Sequence, residues 1–156
     1  MATTITPATL TVTLSEAITL GGEAQGASNV LSISSITEVM KRIVNVPTTE
    51  VEILAFAATN PAAGSFVEAD VRYIRITNLD DTNHVTLTFK NEANAEFAVK
   101  LDKGQSFIYN GDLAGGVVDT MDASATPLTV AFGDLVNITA ISNTAACDLE
   151  LFVAGT

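Results

Sequence analysis

Residues 71–109 read VRYIRITNLDDTNHVTLTFKNEANAEFAVKLDKGQSFIY, and their pattern decides the fold class. In the middle run Val85, Leu87 and Phe89 alternate with His84, Thr86, Thr88 and Lys90. In the next, Phe97, Val99 and Leu101 alternate with Ala98 and Lys100. Successive side chains of an extended chain point to opposite sides, so an apolar residue at every second position gives a strand with one dry and one wet face. Asn78-Leu79-Asp80-Asp81 and Asn91 to Asn94 supply side chains that hydrogen-bond their own backbone and close turns. Lys103-Gly104 adds a third turn, with a glycine able to take positive φ. The stretch predicts a meander of strands and holds no recognisable catalytic motif.

The same alternation flanks it. Thr9 to Leu14 places Leu10, Val12 and Leu14 on the inward side, Gly21-Gly22 and Gln25-Gly26 break the chain, and Asn29 to Ile36 reads as a second strand with Leu31 and Ile33 flanked by serines. Residues 36–46 are ambiguous. Ile36, Val39, Met40, Ile43 and Val44 follow helical spacing, and Ser35 with Glu38 suits a capping box. The β-branched content, which loses χ1 freedom in a helix, argues the other way. Pro47-Thr48-Thr49 then leads into a strand-like run, Glu50 to Phe56. A strand pair is expected here, with a short helix as the alternative.

Residues 57–69 read as a connector, and residues 110–127, with Gly111, Gly115-Gly116, Asp112, Asp119 and Asp122, as a long loop. The chain closes with an alternating run at Leu128, Val130 and Phe132, a Gly133-Asp134 turn, a strand from Leu135 to Ile141, and a last strand with Leu149, Leu151 and Val153 against Asp148, Glu150 and Phe152. About nine or ten short strands at regular spacing, with no crossover helices, predict one all-β domain over 1–156. Its expected form is an antiparallel β-sandwich of jelly-roll type, with a loose N-terminal arm at about 1–8.

Composition bounds the function. The chain has 156 residues, 47% apolar and 16% charged, with 7 basic against 18 acidic side chains and a net charge of −11. Such a field repels phosphate backbones and anionic lipid, so neither nucleic acid nor membrane is an expected partner. The single cysteine, Cys147, permits no internal disulfide and fits synthesis in a reducing cytoplasm. The first residues lack the basic and apolar regions of a signal peptide, and no apolar run is long enough to span a bilayer.

The inventory for catalysis is thin. His84 is the only histidine and falls on the polar face of its strand, so it is expected at the surface. No cation neighbours Cys147 to lower its pKa, so a small buried or half-buried residue is expected there. The run Asn78 to Asn83 concentrates oxygen ligands that a hard cation would use, but it lacks the spacing and glycine of a calcium loop, and an Asx-stabilised turn is expected. GDLAGG at 111–116 matches no phosphate-binding pattern. No pair of carboxylates stands out for glycoside hydrolysis, and without Trp the only phenols for a sugar platform are Tyr73 and Tyr109. No catalytic, cofactor or metal residue is assigned, and the expected protein is not an enzyme.

The segments YIRITNLDDTNHVTL (73–87), FAVKLDKGQSFIYN (97–110) and NTAACDLELFVAG (143–155) resemble small virion proteins of tailed bacteriophages, particularly those of marine and cyanobacterial hosts. The resemblance covers residues 40–110 and 140–155 and rests on strand-and-turn phrasing. It implies a capsid decoration (cement) or minor head protein, commonly a homotrimer, made in the host cytoplasm and seated on the major capsid protein at the virion surface. On that reading the arm at 1–8 orders on docking, and Phe152, apolar but out of phase, serves a subunit interface. The alternatives are a head–tail connector or tail component and, from another class, a carbohydrate-binding module.

Overall fold

A computed structural model describes residues 4–59, 64–92, 96–110 and 135–156. Its elements are β1 (Ala8–Ser15), β2 (Thr19–Leu20), β3 (Glu23–Ala24), β4 (Ser28–Ile36), β5 (Glu38–Val46), β6 (Val51–Ala57), β7 (Phe66–Val67), a 3-10 turn (Glu68–Asp70), β8 (Val71–Asn78), β9 (Val85–Asn91), β10 (Glu96–Leu101), β11 (Ser106–Asn110), β12 (Leu135–Ser142) and β13 (Cys147–Gly155). The expected strand at 128–132, its Gly133-Asp134 turn and the body of the 110–127 loop lie outside the described residues.

Two sheets face each other, one in the order β10-β9-β12-β6-β7 and the other β11-β8-β13-β5. Leaving aside the two-residue β7, the pairs β9·β10, β8·β11, β6·β12 and β5·β13 nest like the rungs of one long hairpin. Rolling that hairpin up adds the pairs β13·β8 and β12·β9. This is jelly-roll connectivity, and the all-β sandwich expected from the alternation is the fold.

The alternating faces meet as the pattern requires. Val85, Leu87 and Phe89 of β9, Ile138 and Ala140 of β12, Ile74 and Ile76 of β8, and Leu149, Leu151 and Val153 of β13 fill one core between the sheets. Phe89 stacks on its cross-strand partner Phe97, with ring centroids 4.5 Å apart, and meets Phe107 of the facing sheet at 5.0 Å. Such aromatic pairs contribute about 0.5–1.5 kcal/mol beyond the area they bury.

The central stretch is not a meander. Only β9 and β10 form a hairpin, while β8 and β11 belong to the opposite sheet and pair with each other across it. Alternation records which face of a strand is dry but not which sheet the strand joins. The turns at 79–84 and 102–105 carry the chain from one sheet to the other. The ambiguous segment is strand: β5 pairs with β13 from Glu38 to Val46, so β-branching prevails over the helical spacing. The chain enters β5 through a sharp corner, where Ser35 adopts φ 64° and the Thr37 amide donates to the Gly155 carbonyl. The connector at 57–69 contains a short parallel pairing of β7 with β6.

Candidate interaction surface

β1 and β4 form a separate antiparallel ribbon laid on the outer face of the β11-β8-β13-β5 sheet. Residues directly opposite in an antiparallel pair share a face. Val12 opposite Leu31 and Leu10 opposite Ile33 therefore make one apolar stripe, which packs with Ile36 on Tyr73, Ala154 and Phe152. Phe152 meets Tyr73 edge-on, with ring centroids 5.8 Å apart. Phe152 lies on the outer face of β13, as its phase predicts, and the chain's own ribbon covers it in part, leaving the rest of its side chain on the groove between ribbon and sheet. A ribbon element distant in sequence fills the outer side of β13, which the period of β13 alone does not disclose.

Beyond Val12 the ribbon leaves its support. Every residue from Thr13 to Val30 is exposed, and Leu14, expected inward with Leu10 and Val12, is 52% exposed. This finger keeps its backbone paired. Glu16 donates its amide to the Ala27 carbonyl, Gln25 donates to Ile18, and β2 meets β3 across Gly21-Gly22. Both glycines have positive φ, 62° and 87°, as a two-residue hairpin turn demands. Close strand approach requires a third, because a Cβ on Gly26 would stand 2.2 Å from the Glu16 carbonyl oxygen.

Among the described residues the exposed large apolar side chains concentrate here. Ile5, Leu14, Ile18, Leu20, Val30, Val39 and Ile43 precede residue 44, against Leu79, Ile108 and Val136 elsewhere. Scattered single cases are ordinary, whereas a concentration on one projecting element marks an interaction surface, and Val39 and Ile43 add two more on the edge strand β5. Between the ribbon and the sheet lies a groove of about 500 Å3 lined by Leu10, Val12, Tyr73, Ile108, Phe152 and Arg75.

The lower half of the same outer face is polar. Glu150 of β13 takes Arg75 of β8 on one oxygen at 2.5 Å and Lys41 of β5 on the other at 3.1 Å. Arg75 first, then Lys41, hold the Glu150 carboxyl below its ordinary range. On the other sheet Lys90 bridges Glu50 and Glu96, and Glu50 is likewise lowered by Lys90 and by the Thr139 hydroxyl. These are cross-strand pairings on wet faces, and they set register more than they add stability.

The turn at 78–83 is Asx-stabilised, as expected. Asn78 is fully buried. Its side-chain amide donates to the carbonyls of Asn83 and Leu101, and its Oδ1 accepts from the Asp80 amide. Asp80 Oδ1 accepts from the amides of Asn83 at 2.6 Å and Thr82 at 2.7 Å, and these bonds lower its pKa. Among the described residues no group of three or more His, Cys, Asp or Glu is placed to hold a metal ion.

Cys147 is buried with Sγ 2.9 Å from Ser142 Oγ, and burial raises its pKa. His84 is half-buried on the wet side of its run with Thr86, Thr88 and Lys90, and its carbonyl accepts the Asn143 amide just before β9. Tyr73 is only 5% exposed, so its ring is closed to a sugar. Sequence reading misses the finger. Leu20-Gly21-Gly22-Glu23 between short apolar positions is the available signal for a tight hairpin.

No protein-family model and no curated protein matches the chain. A solved structure belonging to "Bacillus endospore appendages form a novel family of disulfide-linked pili" is similar, with a TM-score of 0.45 and 12% identity, over 76% of this chain and 85% of that one.

Proposed function

We infer that the chain is a non-enzymatic structural protein of a virion, a decoration protein that binds the major capsid lattice and stabilises the head. The observation that carries this reading is the exposed apolar finger, which projects from a jelly roll whose described core cluster includes none of the finger's residues. A two-stranded ribbon gains little stability of its own in water, so a finger whose large apolar side chains stay exposed is suited to burying them against a partner. The virion placement comes from the strand-and-turn resemblance at 73–87, 97–110 and 143–155. A decoration protein works by adding contact area across capsomer boundaries, and several modest contacts per assembly become collectively tight.

The test is co-sedimentation of purified protein with expanded heads of the phage that carries it. Saturable binding at a fixed ratio to the capsid subunit, weakened by Leu14→Asp with Leu20→Asp, is the expected result. Absence of saturable binding at micromolar protein contradicts the reading.

A further inference from the structure

The base of the ribbon demonstrates what the outer face of its sheet accepts, since Leu10, Val12, Leu31 and Ile33 are already seated on Tyr73, Ala154 and Phe152. Both partners in that contact continue past it. The ribbon runs on as the finger, and the sheet runs on to β5, where Val39 and Ile43 are 56% and 61% exposed. Val39, Lys41 and Ile43 stand opposite Ala154, Phe152 and Glu150 of β13, so they occupy alternate positions on the outer face, the side the ribbon packs on.

The two exposed strips match in pattern and in charge. β5 reads apolar, base, apolar at Val39, Lys41 and Ile43. The finger reads apolar, acid, apolar at the same spacing, at Leu14, Glu16 and Ile18. Lys41 and Arg75 share the one carboxylate of Glu150, so that group of three keeps one positive charge in excess. Asp148, hydrogen-bonded to the neutral amide of Asn45, keeps its charge but stands farther along β13, four residues from Phe152, the partner of Lys41. In a chain of net charge −11 a second copy meets repulsion over most of the surface, and the Lys41 strip is a place where an acidic finger meets attraction. Among the described residues β5 also ends its sheet, leaving a strand edge beside that strip to which an extended segment can add.

We propose that the occupant of the β5 face is the finger of a second copy of this chain, with Leu14 and Ile18 against Val39 and Ile43, and Glu16 against Lys41. The contact joins two different patches, so copies exchange fingers about a two-fold axis or follow one another head to tail into a ring or filament. It draws on the same finger as the capsid reading, and the two are told apart by where binding appears: association of the protein alone here, saturable sedimentation with heads there.

The experiment uses the full-length protein and light-scattering mass across a concentration series. The native chain is expected to associate. E16K and K41E are each expected to weaken association about fivefold, in line with an exposed ion pair, and the two together to recover it. Both positions are exposed, and because K41E also gives up the Lys41–Glu150 pair, the urea midpoint of each variant is required to match the native one. As a second readout, one preparation carrying I18C is mixed with another carrying I43C under mild oxidation, and a disulfide between the two chains is expected. A protein monomeric at every concentration, a double swap no better than the single changes, or the absence of the mixed disulfide would overturn the proposal.

Discussion

The rolled sandwich and the N-terminal finger are built from the same alternating sequence and end in opposite states. In the sandwich Leu87, Ile138, Leu149 and Leu151 have no exposed surface, because a facing sheet covers each dry side. In the finger Leu14, Ile18 and Leu20 fall on the same alternating positions, interrupted by Glu16, and are 52–69% exposed. Alternation therefore specifies a face that wants cover, and tertiary context decides whether the cover comes from the same molecule. The ribbon's base shows the intermediate case, with Leu10 and Val12 half-buried on Tyr73 and Phe152.

The sharpest way to break this comparison is matched truncation. Leu151→Ala removes fully buried methyl groups and leaves a cavity, at an expected cost of about 2–5 kcal/mol in urea unfolding. Leu20→Ala is expected to stay within about 0.5 kcal/mol of the native protein, as for other exposed sites. Equal losses at the two positions would mean that the finger belongs to the cooperative core.

Next in size is Asn78→Ala. It leaves the Asn83 and Leu101 carbonyls without the buried amide that serves them, and about 1–3 kcal/mol is expected. A denaturation midpoint that does not move would show that water replaces the amide and that the turn is less closed than its burial indicates.

The Asp80 turn and the Glu150 group sharpen the comparison through pH. Their carboxyls titrate below the ordinary range when folded, so the folded state favours the charged form. Their contribution is complete above the ordinary carboxylate pKa and is lost as pH falls through the depressed folded value. Asp80→Asn keeps an acceptor oxygen but removes the charge, and a flatter acid limb of the stability–pH curve is the expected outcome. A curve that stays parallel to the native one contradicts the assignment.

The smallest effect on global stability is expected from Gly26→Ala, which drives a Cβ into the Glu16 carbonyl and so disrupts the finger alone. Amides of Glu16 and Gln25 should then exchange with solvent faster while those of β9 and β13 keep their protection. Faster exchange spreading into β13 would tie the finger to the sandwich.

Much of the sandwich is legible in the sequence because its strands obey one local rule. The dry faces of β9, β10 and β13, the strand over residues 38–46 and the Asx turn at 78–83 all follow from spacing and side-chain chemistry. What is not legible is pairing across distance. The period of residues 71–109 is the same whether they form a meander or cross between sheets, and only the turns at 79–84 and 102–105 separate the two. The cover of Phe152 by Leu10 and Val12, the three-residue group at Glu150 and the exposure of Leu14 each depend on where the ribbon stops relative to the sheet. No local pattern encodes that end point.

The most direct measurement is the light-scattering mass of a chain whose finger is shortened, with residues 16–27 replaced by Asn-Gly to join Ser15 and Ser28, which face each other in the ribbon. The sandwich and the ribbon base keep all their contacts in this variant, and its urea midpoint is expected to match that of the native chain. A monomer at concentrations where the native protein associates is the expected result. A mass equal to that of the native assembly, or a collapse of the urea midpoint, would contradict the separation of a self-sufficient jelly roll from a finger made for a partner.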